Sequence, residues 1–508
     1  MPTKDYERER TTRRERIDPK LKQSGWSVVP FGGVDLARYG RTAVEEFPTD
    51  NGPADYALCD DGLVLGAVEA KKVTLGPQNV LTQAQRYSHG FTASPADYGD
   101  GYRVPFLYST NGEVIWFQDI RHPLNRSRKI AQFHTPQALR ELLARNQEAA
   151  LAKLPGIPYH GILRGYQVEC HEAVEEAIAQ RKQKMLVTMA TGTGKTLTMV
   201  SQVYRLMKSG TARRILFLVD RRALAAQAVR AFASFEAEPG LKFDRLYEVY
   251  SQRFKKEDFE EGDAFDPKVL PNKYLTDPQP GHAFVYVCTI QRMAMNLFGK
   301  DAGFDIGDET KDADADKLDI PIHAFDLIIA DECHRGYSKK ELSTWRDTLD
   351  HFDATKIGLT ATPAAHTIAY FNQVVYRYDY ERAVKEGHLV DYNVVNIKSN
   401  VRLNGVFLKE GESVSEVDTE TGVEQLDLLE DEREFATSEV EAEALARVRS
   451  TPTNRTSSSS TASTERCSST SVAPQESRRS HQRPTRGRSQ RSSRTSTRTR
   501  TGTTTSGG

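Results

Sequence analysis

The chain has no apolar run near the eighteen or so residues that a membrane span needs. Its opening, MPTKDYERERTTRRER, is too charged and too poor in apolar residues for a secretory signal. Cysteine is scarce: Cys59, Cys170, Cys288, Cys333 and Cys467, with no two at zinc-ligand spacing. That count and scatter exclude a disulfide framework and predict reduced thiols, hence a soluble cytoplasmic protein with no membrane partner. Residues 451–508 contain no Lys and no Leu, Ile, Phe, Tyr, Trp or Met, but eleven Arg and two acidic residues. Half Ser and Thr, this segment cannot bury a core, so a disordered basic tail is expected.

What is present is enough for two or three domains: 508 residues, 38% of them apolar. The net charge of −1 hides an asymmetry of about +9 in the tail against about −10 before it. This balance neither supports nor excludes a nucleic-acid partner, because only a binding groove must meet phosphate. Residues 1–150 read as a first α/β unit. It opens with a charged helical stretch ending near Gly25, continues with short strands at Tyr56–Leu58 and Val64–Val68, and closes with a helical stretch from Pro136 to Lys153. After a turn-rich break at Leu154–Pro158, residues 155–395 alternate apolar strands (Met185–Met189, Ile215–Val219, Phe284–Cys288, Leu327–Ala330, Ile357–Leu359) with helices, the rhythm of a parallel sheet. Acidic stretches at Lys255–Asp266 and Asp301–Asp319 read as surface insertions, and 396–450 as an acidic linker or the start of a further domain.

Ala190-Thr191-Gly192-Thr193-Gly194-Lys195-Thr196 follows a strand and opens a helix whose apolar residues Leu197, Val200, Tyr204 and Met207 keep helical spacing up to Gly210. Glycines let backbone N–H groups approach phosphate oxygens; Lys195 can neutralise the β- and γ-phosphates of ATP, and Thr196 can ligate Mg²⁺. Downstream, a buried-strand pattern ends in Asp331-Glu332-Cys333-His334. A carboxylate at a strand end can hold Mg²⁺ and the next can orient the attacking water, so Asp331 and Glu332 are assigned those roles.

These four residues resemble the DEAH-like motif of superfamily 2 helicases and translocases, and the family's other motifs follow in order. Arg164-Gly165-Tyr166-Gln167 resembles the element that reads adenine. Phe217–Arg221 and Thr289-Ile290-Gln291 resemble the motifs that line the DNA groove, implying contacts from Arg221 and Thr289. Gly358–Pro363 resembles the motif that couples hydrolysis to movement.

The first unit carries a second chemistry. Asp55 precedes one strand and Glu69-Ala70-Lys71 ends the next, with Glu69 and Lys71 two apart on one face. Two carboxylates holding a divalent ion, with a lysine beside them, form a hydrolytic site for phosphodiesters. This resembles the PD-(D/E)xK nuclease core, with Ala54 in place of the proline. Gln83 and Tyr87, one helical turn apart, match the QxxxY element of RecB-like nucleases. Glu15 and Glu46 are weighed as further metal contacts against ordinary surface charge.

A PD-(D/E)xK nuclease ahead of a DEAH-type motor resembles the R subunit of type I restriction enzymes. Stretches such as IDPKLKQSGW, DECHRG and YERAVKEGHLVDY carry the same resemblance. It implies ATP and Mg²⁺ as cofactors, double-stranded DNA as substrate, cleavage of unmethylated DNA, and methyltransferase (M) and specificity (S) subunits as partners. A second RecA-like domain with its arginine finger is not visible after Asp391, and the abrupt change near Arg455 suggests a frameshift or truncation that would slow ATP hydrolysis, with a natural basic tail that binds nucleic acid as the rival reading. The alternatives are a stand-alone helicase–nuclease and a non-catalytic DNA-binding remnant.

Overall fold

The computed structural model describes residues 9–71, 81–254, 267–300, 315–334 and 339–391, and the backbone of five short strands between 406 and 450. Residues 1–393 form one compact unit and 394–508 a second. The tail from 451 lies outside the described residues, as do 255–266 and 301–314 of the two acidic stretches. The end of the second stretch is not purely surface, because Ala315 is fully buried.

The chain enters through α1 (Glu9–Thr12), a π-helical turn Arg13–Ile17 and α2 (Asp18–Gln23), stopped at Gly25 with φ +84°. Ile17, Leu21 and Trp26 face inward and are buried, so the predicted charged helix has one apolar stripe. Seven strands then pair in chain order: β1 (Ser27–Pro30), β2 (Thr42–Phe47), β3 (Ala54–Asp60), β4 (Leu63–Ala70), β5 (Phe106–Thr110), β6 (Ile115–Asp119) and β7 (Arg128–Ile130). The pairs β1/β2 and β4/β5 are parallel, the rest antiparallel. Both faces are apolar: Tyr56, Leu58 and Val68 pack with Trp26 on one, and Ala57, Ala67 and Leu107 with Ala84 and Phe91 on the other. Ala84 belongs to α3 (Leu81–His89), which lies along β4 and β5.

The helical stretch predicted from Pro136 to Lys153 is broken into α4 (Pro136–Ala144) and α5 (Gln147–Leu151). Arg145 leaves the helix with ψ 123°, and the Asn146 side chain caps α5 by accepting from Ala149 N–H at 2.9 Å. The departure lets Arg145 reach Asp326 at 2.7 Å, a partner that periodicity cannot reveal. The turn-rich segment that follows is pinned, with the Leu154 carbonyl accepting from buried Arg205 at 3.0 Å.

The second sheet is all parallel. Its strands are β8 (Lys184–Met189), β9 (Arg214–Val219), β12 (Glu248–Ser251), β13 (Phe284–Thr289), β14 (Leu327–Asp331), β15 (Thr355–Thr360) and β16 (Val374–Tyr378); β10 (Glu236–Glu238) and β11 (Leu241–Lys242) form a separate hairpin. The spatial order is β12-β13-β9-β14-β15-β8-β16, with helices on both faces. They are α6 (Gly165–Ala179), α7 (Lys195–Ser209), α8 (Arg222–Ser234), the short α9 (Phe243–Leu246) and α10 (Asn272–Thr276), α11 (Ile290–Phe298), α12 (Lys339–His351), α13 (Ala365–Phe371) and α14 (Tyr380–Lys385). All five predicted core strands are present. α7 ends at Gly210 with φ +83°, at the predicted stop.

The two sheets meet at the start of the parallel strands. Arg128 and His134 hold Asp353, just before β15, at 2.9 Å each. Arg145 and Arg214 hold Asp326, just before β14, at 2.7 and 3.5 Å, and Glu141 of α4 pairs with Arg214 at 3.0 Å. The second compact unit contains a two-stranded pairing, β17 (Val406–Leu408) with β20 (Arg433–Phe435), and a three-stranded one, β18 (Ser413–Val417) between β19 (Glu424–Leu428) and β21 (Val448–Ser450).

Candidate nucleotide and nuclease sites

The second sheet delivers its motifs to one edge. β8 runs into Ala190–Thr196, β9 into Asp220-Arg221, β13 ends at Thr289, β14 at Asp331 and β15 at Thr360. Ligands of open α/β sheets bind outside these carboxyl ends. Gly192 and Gly194 take φ +84° and +78°, and a Cβ on Gly194 would lie 2.8 Å from Gln167 Nε2. Thr193 closes the loop by donating its hydroxyl to the Ala190 carbonyl at 2.6 Å, while Thr191 is exposed and Thr196 half-buried at the start of α7. Lys195 Nζ lies 3.4 Å from Glu332 Oε1. Burial and the neighbouring Glu332 push the Asp331 carboxyl up to about 6, with Lys195 opposing them. A buried and a half-buried carboxylate beside one lysine at a glycine loop suit a Mg²⁺–triphosphate, which brings cation and anion together.

Glu332 sits at φ +49°, a region that a glutamate rarely adopts. His334 Nδ1 lies 3.2 Å from Glu332 and 2.8 Å from Thr360 Oγ1, linking the hydrolysis motif to the motif after β15. Gln167 is buried, at 3% exposure, and its amide is engaged: Oε1 accepts from Arg164 N–H at 2.9 Å, and Nε2 donates to Thr198 Oγ1 at 3.0 Å. Arg164 itself is exposed. Tyr166 stacks on Tyr378 at 3.9 Å and donates to the Thr193 carbonyl at 2.8 Å, a support that sequence reasoning did not find. Tyr378 stands in an aromatic run before YERAVKEGHLVDY, which offered a signal without a role.

The two DNA-groove residues fare differently. Arg221 is exposed at the start of α8, with Asp220 at 3.5 Å. Thr289 is buried at 2% exposure; its hydroxyl caps α11 by accepting from Arg292 N–H at 3.2 Å and donates to Gln252 at 3.2 Å. The Thr289 hydroxyl is thus engaged within the fold, capping a buried helix end, while Arg221 stands at the surface.

In the first sheet, the register that pairs Tyr56 with Val68 sets Asp55 opposite Glu69, and the one that pairs Glu45 with Tyr56 sets Glu46 opposite Asp55. Three carboxylates thus stand in a row across β2, β3 and β4. Ala70 N–H donates to Asp55 Oδ2 at 2.7 Å, Lys71 forms an ion pair with buried Glu69, and Gln83 donates to the Tyr87 hydroxyl at 3.0 Å. Burial raises the Tyr87 hydroxyl, and Glu69 and Asp55 add to the rise, which places this helix turn beside the carboxylates. All five predicted nuclease residues are brought together. Arg13, which no spacing singled out, joins them: it pairs with Glu46 and lies 3.2 Å from Asp55 and 3.6 Å from Glu45. Glu46 therefore belongs to the site's edge, not to an unrelated surface.

These features define a RecA-like parallel-sheet domain with a glycine loop and an acidic pair at its strand ends, following a first α/β sheet that carries its own acidic site. By sequence, the chain is similar to type I restriction enzyme endonuclease subunits. Residues 33–143 match the family described as "Type I restriction enzyme EcoKI endonuclease subunit second domain", and 160–365 the family "Type III restriction enzyme, res subunit". The type I restriction enzyme EcoKI endonuclease subunit of Escherichia coli (strain K12) is 32% identical over 486 residues, covering 82% of this chain and 38% of that protein. The EcoAI endonuclease subunit of Escherichia coli is 31% identical, covering 59% and 34%. The chain thus spans little more than a third of the length of these relatives. A fragment structure of an HsdR subunit from Vibrio vulnificus YJ016 is 23% identical, with coverage of 75% and 61% and a TM-score of 0.28. No helix among the described residues is long and apolar enough to cross a membrane.

Proposed function

We propose that the chain is the DNA-moving and DNA-cutting subunit of a type I restriction system, coupling ATP hydrolysis to translocation and cleaving unmethylated double-stranded DNA. The observation that carries this reading is the meeting of Asp55, Glu69 and Lys71, with Gln83 and Tyr87 alongside, in a chain whose second sheet sets Lys195 against Asp331 and Glu332. Methyltransferase and specificity subunits are the proposed partners, and the cytoplasm the proposed location.

Mg²⁺ at Asp55 and Glu69 would supply Lewis acidity and a water of lowered pKa. The chain's own groups do the rest. Ala70 N–H fixes one Asp55 oxygen, and Arg13 donates to the other at 3.2 Å. Lys71 places a positive charge where charge develops on the phosphate. In the second sheet, Gly192–Gly194 and Lys195 would bind phosphates, Thr196 and Asp331 would hold the Mg²⁺ ion, Glu332 would orient the attacking water, and Arg221 would meet the DNA backbone.

The test is supercoiled-plasmid cleavage by the purified chain with Mg²⁺ and ATP, with and without M and S subunits, beside a Glu69→Ala/Lys71→Ala variant. Cutting that the double variant abolishes supports the reading. Equal cutting by both proteins, or none under either condition, overturns it.

A further inference from the structure

Three carboxylates in a row repel one another unless cations neutralise them. Lys71 answers Glu69 at one end. At the other end the answer comes from a different element. Arg13, in the π-helical turn Arg13–Ile17, reaches across β2 and β3 with one guanidinium. Its Nη1 pairs with Glu46 and donates to Asp55 Oδ1 at 3.2 Å; Nη2 donates to the Asp55 carbonyl at 3.3 Å and lies 3.6 Å from Glu45. The group also sits over the Tyr56 ring, 5.0 Å from its centroid. The Tyr56 hydroxyl in turn donates to Asp18 at 2.6 Å, tying the helix to the sheet. Arg13 is therefore held in place by packing as well as by charge.

The two oxygens of Asp55 are thus divided. Oδ2 is held by the Ala70 N–H, and Oδ1 is shared with Arg13. We propose that Arg13 is the resident counter-cation of this carboxylate row, competing with the divalent ion for Asp55 and so setting the metal concentration at which the nuclease site fills. Arg13 is a positioning residue: it keeps Asp55 and Glu46 aligned while no ion is bound and yields Oδ1 when one arrives. The inference rests on reading Asp55 and Glu69 as metal ligands.

The experiment is calorimetric titration of the 508-residue chain with Mn²⁺, comparing wild type, Arg13→Met and Asp55→Asn. The binding lost in Asp55→Asn defines the site. Arg13→Met is expected to bind Mn²⁺ there at least about tenfold more tightly, because a fixed positive charge a few ångströms from a divalent ion opposes it by more than a decade at a dielectric near 20. Unchanged or weaker binding by folded Arg13→Met overturns the inference and leaves the nuclease reading standing. Identical Mn²⁺ binding by wild type and Asp55→Asn overturns both. Should Arg13→Met fail to fold, wild type still decides. Saturating Ca²⁺ is expected to raise phenylglyoxal modification of Arg13 severalfold by mass spectrometry, and unchanged modification overturns the inference.

Discussion

Lys195 and Glu332 stand 3.4 Å apart, yet nucleotide chemistry assigns them opposite tasks, one on the phosphates and one on the attacking water. Their substitutions should separate. Lys195→Ala is expected to weaken Mg·ATP binding at least about tenfold, while Glu332→Gln keeps binding within about threefold and slows hydrolysis about a hundredfold or more. Isothermal titration with a non-hydrolysable ATP analogue and a phosphate-release assay measure the two halves; equal loss of binding in both variants would sink the assignment. Most of this site was legible in the sequence, because a glycine loop and an acidic pair at strand ends have fixed spacing. Arg13 was not, since one arginine among several in a charged helix has no spacing to mark it. For Thr289 the motif names the residue but does not say that its hydroxyl caps α11.

At the scale of elements, the parallel strands were the easiest to read, since buried strands form continuous apolar runs. The broken helix around Arg145 was missed because its cause, Asp326, lies far along the chain. The glycine of Gly358–Pro363 has a packing role that the motif alone does not convey. A Cβ at Gly358 would lie 2.6 Å from Phe371 Cε2 and Cζ and 2.9 Å from Leu186 Cδ1. Gly358 therefore lets α13 close on β15 and β8. Gly358→Ala is expected to destabilise the chain by about 1–3 kcal/mol through overpacking. Urea denaturation checks this, and an unchanged midpoint would mean that Phe371 has room to move.

Across the described residues, the first and second sheets meet along a buried polar seam within one compact unit. Its partners are far apart in sequence: His134 and Asp353 are separated by 219 positions. No local pattern signals such a pair. Burial alone would raise the Asp353 carboxyl, but Arg128 and His134 outweigh it and hold the group well below the ordinary carboxylate range. Near the seam, burial drives His323 down to about 3, so it is neutral at physiological pH. Asp353→Ala would leave Arg128 without its carboxylate and is expected to cost about 3–5 kcal/mol at pH 7. The sign with pH follows from the depressed value. The stabilisation from Asp353 is complete above its unfolded pKa of about 4 and fades as pH falls through the lower folded value. Urea melts at pH 7 and pH 3 should therefore show the wild-type advantage over Asp353→Ala shrinking at the acid end. A gap that stays constant would remove the ion pair as its source.

The seam lies at the start of the parallel strands, while the ATP loop, Asp331 and Thr360 lie at their finish. Core strands such as β8 and β9 are six residues long, so about 20 Å of rigid sheet separates the two edges. That sheet is a ruler. Whatever is anchored at the seam is held a strand's length from the glycine loop, and only reshaping the strands themselves would reset the gauge.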